Sequence, residues 1–131
     1  DQKTVLAYHG ALKKILDTKT AETLGLEMQV IASGIYLDDT SRVQNLIIPA
    51  QTYKDIGTSL MGMTVPLDAV SRHLALANAF AKTGISLEHA SALIENPIVA
   101  IPGIVTYADS IQEILSALDS MTIYFESHDI L

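Results

Sequence analysis

Apolar residues recur at helical spacing along almost the whole chain, and this periodicity constrains the fold more than any other feature. No stretch alternates apolar and polar residues for long enough to predict a strand. The chain is therefore predicted to be all-α. The clearest apolar stripe, which is expected to face the core, consists of Ile101, Ile104/Val105, Ala108, Ile111, Leu115, Leu118, Met121/Thr122 and Phe125.

Glycine and proline are sparse, with 7 and 4 copies among 131 residues, and they divide the chain into four helical segments. These segments are predicted at 4–35, 41–63, 66–93 and 97–125. Helices joined by short connections pack best as an antiparallel bundle. We therefore expect one antiparallel four-helix bundle domain over residues 1–131, a length that fits a single domain.

Several residues inside these segments are expected to disturb the helices. The polar stretch Asp17–Thr20 should bend or interrupt the first one, and Pro49 should bend the second or lie near its real start. Gly84 and Ser86 are the points at which the third segment could divide. Pro102-Gly103 could delay or kink the first turn of the fourth.

Charge is distributed unevenly along the chain. Residues 1–82 carry all eight Lys and Arg and eight acids, whereas residues 83–131 carry seven acids and no Lys or Arg. The net charge of −7 therefore resides entirely in the last 49 residues. This balance argues against nucleic acid, whose phosphates require a positive surface. The asymmetry fits either a solvated acidic face or a surface for a basic partner.

The predicted helices carry few charges on their outer faces. Charged residues make up 18% of the chain, below the typical value of about 25%, and 21 Ser and Thr occupy many surface-type positions. A helix face of this kind can pack against another subunit at little desolvation cost. We therefore expect self-association or a protein partner, the alternative being a monomer with a weakly polar surface.

The compartment is predicted from cysteine usage and from the first residue. The chain has no cysteine and begins at Asp1 rather than Met, which favours an exported, extracellular or cell-surface protein with a signal or membrane anchor upstream of Asp1. Within the chain, the longest apolar run, Ile98 to Val105, is interrupted by Pro102-Gly103 and is shorter than the roughly 20 residues of a membrane span. No transmembrane helix is therefore expected.

Motifs that would carry chemistry are missing from the sequence. The absence of cysteine excludes thiolate catalysis and Cys-based metal sites. Glu88-His89 and Glu126-Ser127-His128 lack the Glu-x-x-His spacing of di-iron bundles, and His128-Asp129 lies on a C-terminal tail that is expected to fray. We therefore predict no catalytic residue, no metal site, no cofactor and no enzymatic activity.

Two polar residues, His73 and Asn78, interrupt the apolar third segment. They are either satisfied core groups, with Tyr53 or Tyr107 as hydrogen-bond partners, or the lining of a ligand pocket inside the bundle. On the second hypothesis the ligand-binding residues are His73, Asn78, Tyr53 and Tyr107.

The order of several residues between 49 and 107 is similar to that of a known protein group. The residues that carry the similarity are Pro49 and Tyr53, Val65-Pro66, His73-Leu74, Asn78, Asn96-Pro97, Gly103-Ile104 and Tyr107. This order resembles uncharacterised exported helical ectodomains of small-genome candidate-phyla bacteria, although Asn96-Pro97 replaces the usual Asp-Pro. The resemblance implies an exported or membrane-anchored helical domain and implies no catalytic residues.

Two functions remain as hypotheses. The first is an exported helical structural or protein-interaction domain, a subunit of a cell-surface, pilus or secretion-associated assembly. The alternative is a four-helix bundle that binds or senses a small molecule.

Overall fold

The computed structural model describes residues 1–17, 26–37 and 40–131. Within these ranges all regular structure is helical, which confirms the all-α prediction. A single 3₁₀ turn, Leu67–Ala69, precedes the fifth helix. The α-helices are α1 (Gln2–Leu16), α2 (Glu27–Leu37), α3 (Thr40–Gln44), α4 (Ile47–Met61), α5 (Val70–Ala90) and α6 (Pro97–Ser127).

The first two predicted segments are each divided in the structure. Helix α1 ends at Leu16, where the predicted polar interruption begins, and residues 18–25 lie outside the described ranges. The second segment contains the short α3 before α4. Pro49 is the third residue of α4, which confirms that it lies near the real start of that helix.

The later segments are more continuous than predicted. Helix α5 runs without a break through Gly84 and Ser86, so the expected division there is wrong. Helix α6 begins at Pro97, and Pro102 lies inside it, so Pro102-Gly103 does not delay the first turn. Proline lacks an N–H group, and the Ile98 carbonyl four residues earlier therefore loses its helical hydrogen bond.

Helix α5 packs between α4 and α6 and runs antiparallel to both. Gly57 of α4 lies against Ala77 and Ala81 of α5, whereas the earlier Ala50 lies against the later Gly84. Helix α6, on the other side of α5, is also antiparallel to it, because later residues of α5 contact earlier residues of α6. Arg72 Nη1 donates to the Ser120 carbonyl oxygen at 2.7 Å, and Lys82 Nζ donates to Glu113 Oε1 at 2.9 Å.

Two glycines allow this close packing. A Cβ atom on Gly84 would lie 2.8 Å from the Ala50 carbonyl oxygen, and one on Gly103 would lie 2.9 Å from the Ser86 carbonyl oxygen. Both contacts are with backbone atoms, which a change of rotamer cannot move away. The two glycines therefore set the distance of α5 from α4 and from α6.

Helix α6 faces the core with a different set of residues from the one predicted. Ile111, Met121 and Phe125 are buried as expected, but Ile101, Val105, Ala108 and Leu115 are exposed. The predicted stripe repeats every 3.5 residues, and a straight α-helix drifts by about 20° per heptad relative to such a repeat. The first turns of the stripe therefore lie on the outer face, and Ala100, Gly103 and Tyr107 are buried in their place.

Helix α6 is also the one described helix that is long and apolar enough to cross a membrane. It has 31 residues, and its most apolar 18-residue window has a mean hydropathy of 1.3. This finding departs from the expectation that no such helix exists, which rested on uninterrupted apolar runs. The criterion concerns length and composition alone, and core helices of soluble proteins also meet it.

The glycine contacts generate a testable prediction about stability. We expect Gly84→Ala to lower the free energy of unfolding by about 1–3 kcal/mol, because overpacking must separate α4 from α5. Gly10→Ala is the matched control, since Gly10 is also helical but a Cβ there meets nothing within 4 Å. It should stabilise the protein by about 0.5–1 kcal/mol through helix propensity. Urea unfolding measures both changes, and equal effects of the two substitutions would contradict the packing account.

Candidate functional site

A buried carboxylate joins three helices near the middle of the molecule. Glu27, at the start of α2, has 6% of its surface exposed. Its Oε1 accepts hydrogen bonds from the Tyr53 hydroxyl of α4 at 2.7 Å and from the Tyr107 hydroxyl of α6 at 2.9 Å. These three residues form the carboxylate cluster. It holds α2 against α4 and α6.

The electrostatics of the carboxylate cluster keep the Tyr107 hydroxyl protonated. Burial, followed by the nearby Glu27 charge, raises the pKa of Tyr107 far above its usual value. A neutral phenol can only serve the carboxylate as a donor here, so the cluster is a stable set of charge-assisted hydrogen bonds. This arrangement suits the attachment of a helix rather than proton transfer near neutral pH.

A second buried pair lies where α1, α4 and α5 meet. His73 Nε2 is 2.7 Å from the Leu60 carbonyl oxygen, and its Nδ1 is 2.7 Å from the Tyr8 hydroxyl. A carbonyl only accepts, so Nε2 carries the proton, and Nδ1 of the neutral ring accepts from Tyr8. Burial raises the pKa of the Tyr8 hydroxyl well above its usual value. His73 thereby links α1 to the end of α4.

The structure places the four predicted ligand residues in three different environments. Tyr53 and Tyr107 meet at Glu27. His73 is a satisfied core residue, but its partner is Tyr8 rather than Tyr53 or Tyr107. Asn78 is exposed, so the prediction that it lies in the interior is wrong. Its neighbours Ala77 and Ala79 are buried, and the side chain of Asn78 projects outward between them.

The interior offers no unpaired polar group within residues 1–17, 26–37 and 40–131. Every buried side-chain nitrogen or oxygen atom there has a hydrogen-bond partner. No group of three His, Asp or Glu side chains in the same ranges could hold a metal ion.

One polar cluster at the C-terminal end of α6 was not anticipated from the sequence. Tyr124 donates its hydroxyl hydrogen to Asp68 Oδ1 at 2.8 Å, and His128 Nε2 lies 3.0 Å from Asp68 Oδ2. The Tyr124 and His128 rings are in contact, with centroids 4.4 Å apart and planes tilted by 44°. These three residues form the terminal cluster, and the expectation that His128 frays from the end of α6 is wrong. The i, i+4 spacing of the two rings was the signal available in the sequence.

The terminal cluster alters the ionisation of two of its members. The Tyr124 hydroxyl, followed by His128, lowers the pKa of the Asp68 carboxyl group. Burial, followed by the hydrogen bond to Asp68, raises the pKa of Tyr124 to about 12. The cluster therefore attaches the end of α6 to the turn before α5 most firmly when Asp68 is charged and Tyr124 is neutral.

The outer face of α6 carries the most exposed apolar surface of that helix. Ile98, Ile101 and Val105 have 86%, 56% and 58% of their surface exposed. Their spacing of three and four residues puts them on one face of the helix. We call these three residues the aliphatic stripe. Residues 97–108 contain no charged side chain, so the surface around the stripe is uncharged along the helix.

An open groove lies beside the later turns of the same helix. It encloses about 650 Å³ between α5 and α6, and its lining includes Ala75, Asn78 and Ala79 of α5 with Gln112 and Ser116 of α6. We call it the α5–α6 groove. Asn78, which was predicted to be an interior ligand residue, therefore lines a surface groove instead.

Comparison of the chain with protein-family models, curated proteins and solved structures finds no match. The resemblance of residues 49–107 to exported ectodomains therefore stays a prediction.

The carboxylate cluster generates a prediction about two substitutions at one position. We expect Glu27→Ala to lower the free energy of unfolding by about 2–4 kcal/mol, because it leaves two buried tyrosine hydroxyls without their acceptor. Glu27→Gln keeps an acceptor oxygen and should cost less than half as much. Equal unfolding free energies for the two variants would contradict the role of the cluster.

The terminal cluster generates a prediction about alkaline pH. Because folding raises the pKa of Tyr124 from 10.0 to about 12, its contribution to stability is complete below pH 10 and is lost between pH 10 and 12. Wild type should therefore lose about 2 kcal/mol relative to Tyr124→Phe across this window. Tyr36→Phe, at a tyrosine that is 90% exposed, is the control. Parallel pH profiles for wild type and Tyr124→Phe in urea unfolding would refute the prediction.

Proposed function

We propose that this chain is an exported helical interaction domain that serves as a structural subunit of a cell-surface or secretion-associated assembly. The observation that carries the proposal is the aliphatic stripe of α6. Three branched side chains stand exposed on one helix face, and no charge lies among residues 97–108. Contiguous apolar surface of this kind marks contact sites in soluble proteins.

The charge pattern favours a protein contact over a lipid contact at this surface. Residues 83–131 contain seven acids and no Lys or Arg, so an anionic membrane would repel this end of the chain. A protein surface that buries the aliphatic stripe gains from the apolar area without meeting these acids. Export and a surface location are supported by the sequence alone, through the absence of cysteine and the resemblance of residues 49–107.

For the fold, the same proposal holds that α1 and α2 together form the first helix of an antiparallel four-helix bundle. Tyr8 lies against Phe125, with ring centroids 5.7 Å apart, whereas the later Glu27 meets the earlier Tyr107. This order supports α1 and α2 as successive pieces running antiparallel to α6. Helices α4, α5 and α6 would complete a single domain.

The alternative, a small-molecule-binding or sensor bundle, has less support. Tyr53 and Tyr107 are engaged by Glu27, and His73 is engaged by Tyr8 and the Leu60 carbonyl. A ligand would have to displace these buried hydrogen bonds. For the same reason we propose a binding role rather than catalysis, since these polar groups are occupied by one another.

The proposal predicts association that depends on the aliphatic stripe. We expect light scattering after size exclusion to give masses above the 14.1 kDa of the monomer as concentration rises. Replacing Ile98, Ile101 and Val105 together by Ser should weaken association about a thousandfold, because it removes roughly 4 kcal/mol of apolar burial. Added salt should not dissociate the assembly, because it screens the repulsion between acidic residues and leaves the apolar contact intact.

Ile123→Ser provides the matched control for this experiment. Ile123 lies on the outer face of the same helix and is 57% exposed, close to the value for Ile101, but it stands apart from the stripe among polar residues. It should leave the mass unchanged. A monomer at every concentration, or equal effects of the stripe variant and the control, would refute the proposal.

A further inference from the structure

The α5–α6 groove can accommodate the uncharged, apolar face of a helix. Small side chains, among them Ala75, Ala79 and Ser116, line much of it. Because such residues leave space between the ridges of α5 and α6, a third helix can lay its own ridge into the groove. The groove therefore fits the branched side chains of a helix better than it fits a flat surface.

The charges of the groove cancel each other. Lys82 and Glu113 are its charged lining residues, and Lys82 Nζ lies 2.9 Å from Glu113 Oε1. An ionic ligand would find no unpaired charge there. Asn78 and Gln112 supply neutral polar groups at the lining. The groove therefore has no net charge, in a chain whose net charge is −7.

The length of the groove matches the aliphatic stripe of this same chain. At 1.5 Å per residue, the stripe from Ile98 to Val105 extends about 10 Å along α6, and the groove from Gln112 to Ser120 extends about 12 Å. The two surfaces occupy successive parts of one helix and share no residue. One copy can therefore offer its stripe and its groove to two different neighbours.

We propose that the α5–α6 groove of one copy receives the aliphatic stripe of a second copy, so that copies associate head to tail. This inference rests on the proposed function and names its partner. The contact joins two different surfaces, so each added copy leaves one stripe and one groove free, and the assembly continues as a ring or a filament. It also places the uncharged stripe against a groove whose acid, Glu113, is paired with Lys82.

A complementation experiment tests the inference. The stripe variant carries Ile98→Ser, Ile101→Ser and Val105→Ser, and the groove variant carries Ser116→Trp, which fills the groove from an exposed helical position. Each variant alone should associate at least about tenfold more weakly than wild type. When mixed, they should form a 1:1 dimer of twice the monomer mass, because one intact stripe still meets one intact groove.

Control variants distinguish a filled groove from a general effect of an added tryptophan. Ser59→Trp places the same side chain at an exposed position of α4 and should associate like wild type. Gln112→Trp fills the groove independently and should reproduce Ser116→Trp, and circular dichroism with thermal unfolding confirms that each variant folds.

The outcomes separate this inference from the proposed function. If the groove variants still associate through the stripe, or if the mixture forms no dimer, binding of the stripe in the groove is refuted and the stripe proposal stands. If wild type does not associate, or associates equally well without the stripe, both are refuted.

Discussion

The close approach of α5 to both of its neighbours is the contact on which the remaining features depend. Gly84 and Gly103 let backbone meet backbone on the two sides of this helix, and the larger core side chains pack around these points. A helix pair brought so close leaves shallow grooves lined by small residues along its outer surface. The α5–α6 groove lies further along the same helix pair, where small residues such as Ala75 and Ala79 line it.

The shorter helices are attached to this centre by hydrogen bonds with buried partners. Glu27 secures α2 through two tyrosines, and His73 secures α1 through Tyr8. Buried polar groups cost little once they are paired, and each pairing requires one register of the helices. The polar residues that the sequence suggested as the lining of a ligand pocket thus define how the helices fit together.

The exposed surface of α6 is divided between turns that carry charge and turns that do not. Acids at this end of the chain repel one another, and we propose that association uses the turns of α6 that carry no charge. Ile98, Ile101 and Val105 provide apolar area there, and the paired Lys82 and Glu113 neutralise the groove nearby.

The helical class, the start of α4 near Pro49 and the start of α6 at Pro97 were all determined by local sequence, because periodicity and proline act within a few residues. Tertiary structure decided which face of each helix is buried. Ile101 and Val105 belong to an apolar repeat of 3.5 residues, and only the position of the neighbouring helices shows that its first turns lie outside. The partners of Glu27 and His73 are 13 to 80 residues away, so no local pattern could have identified them.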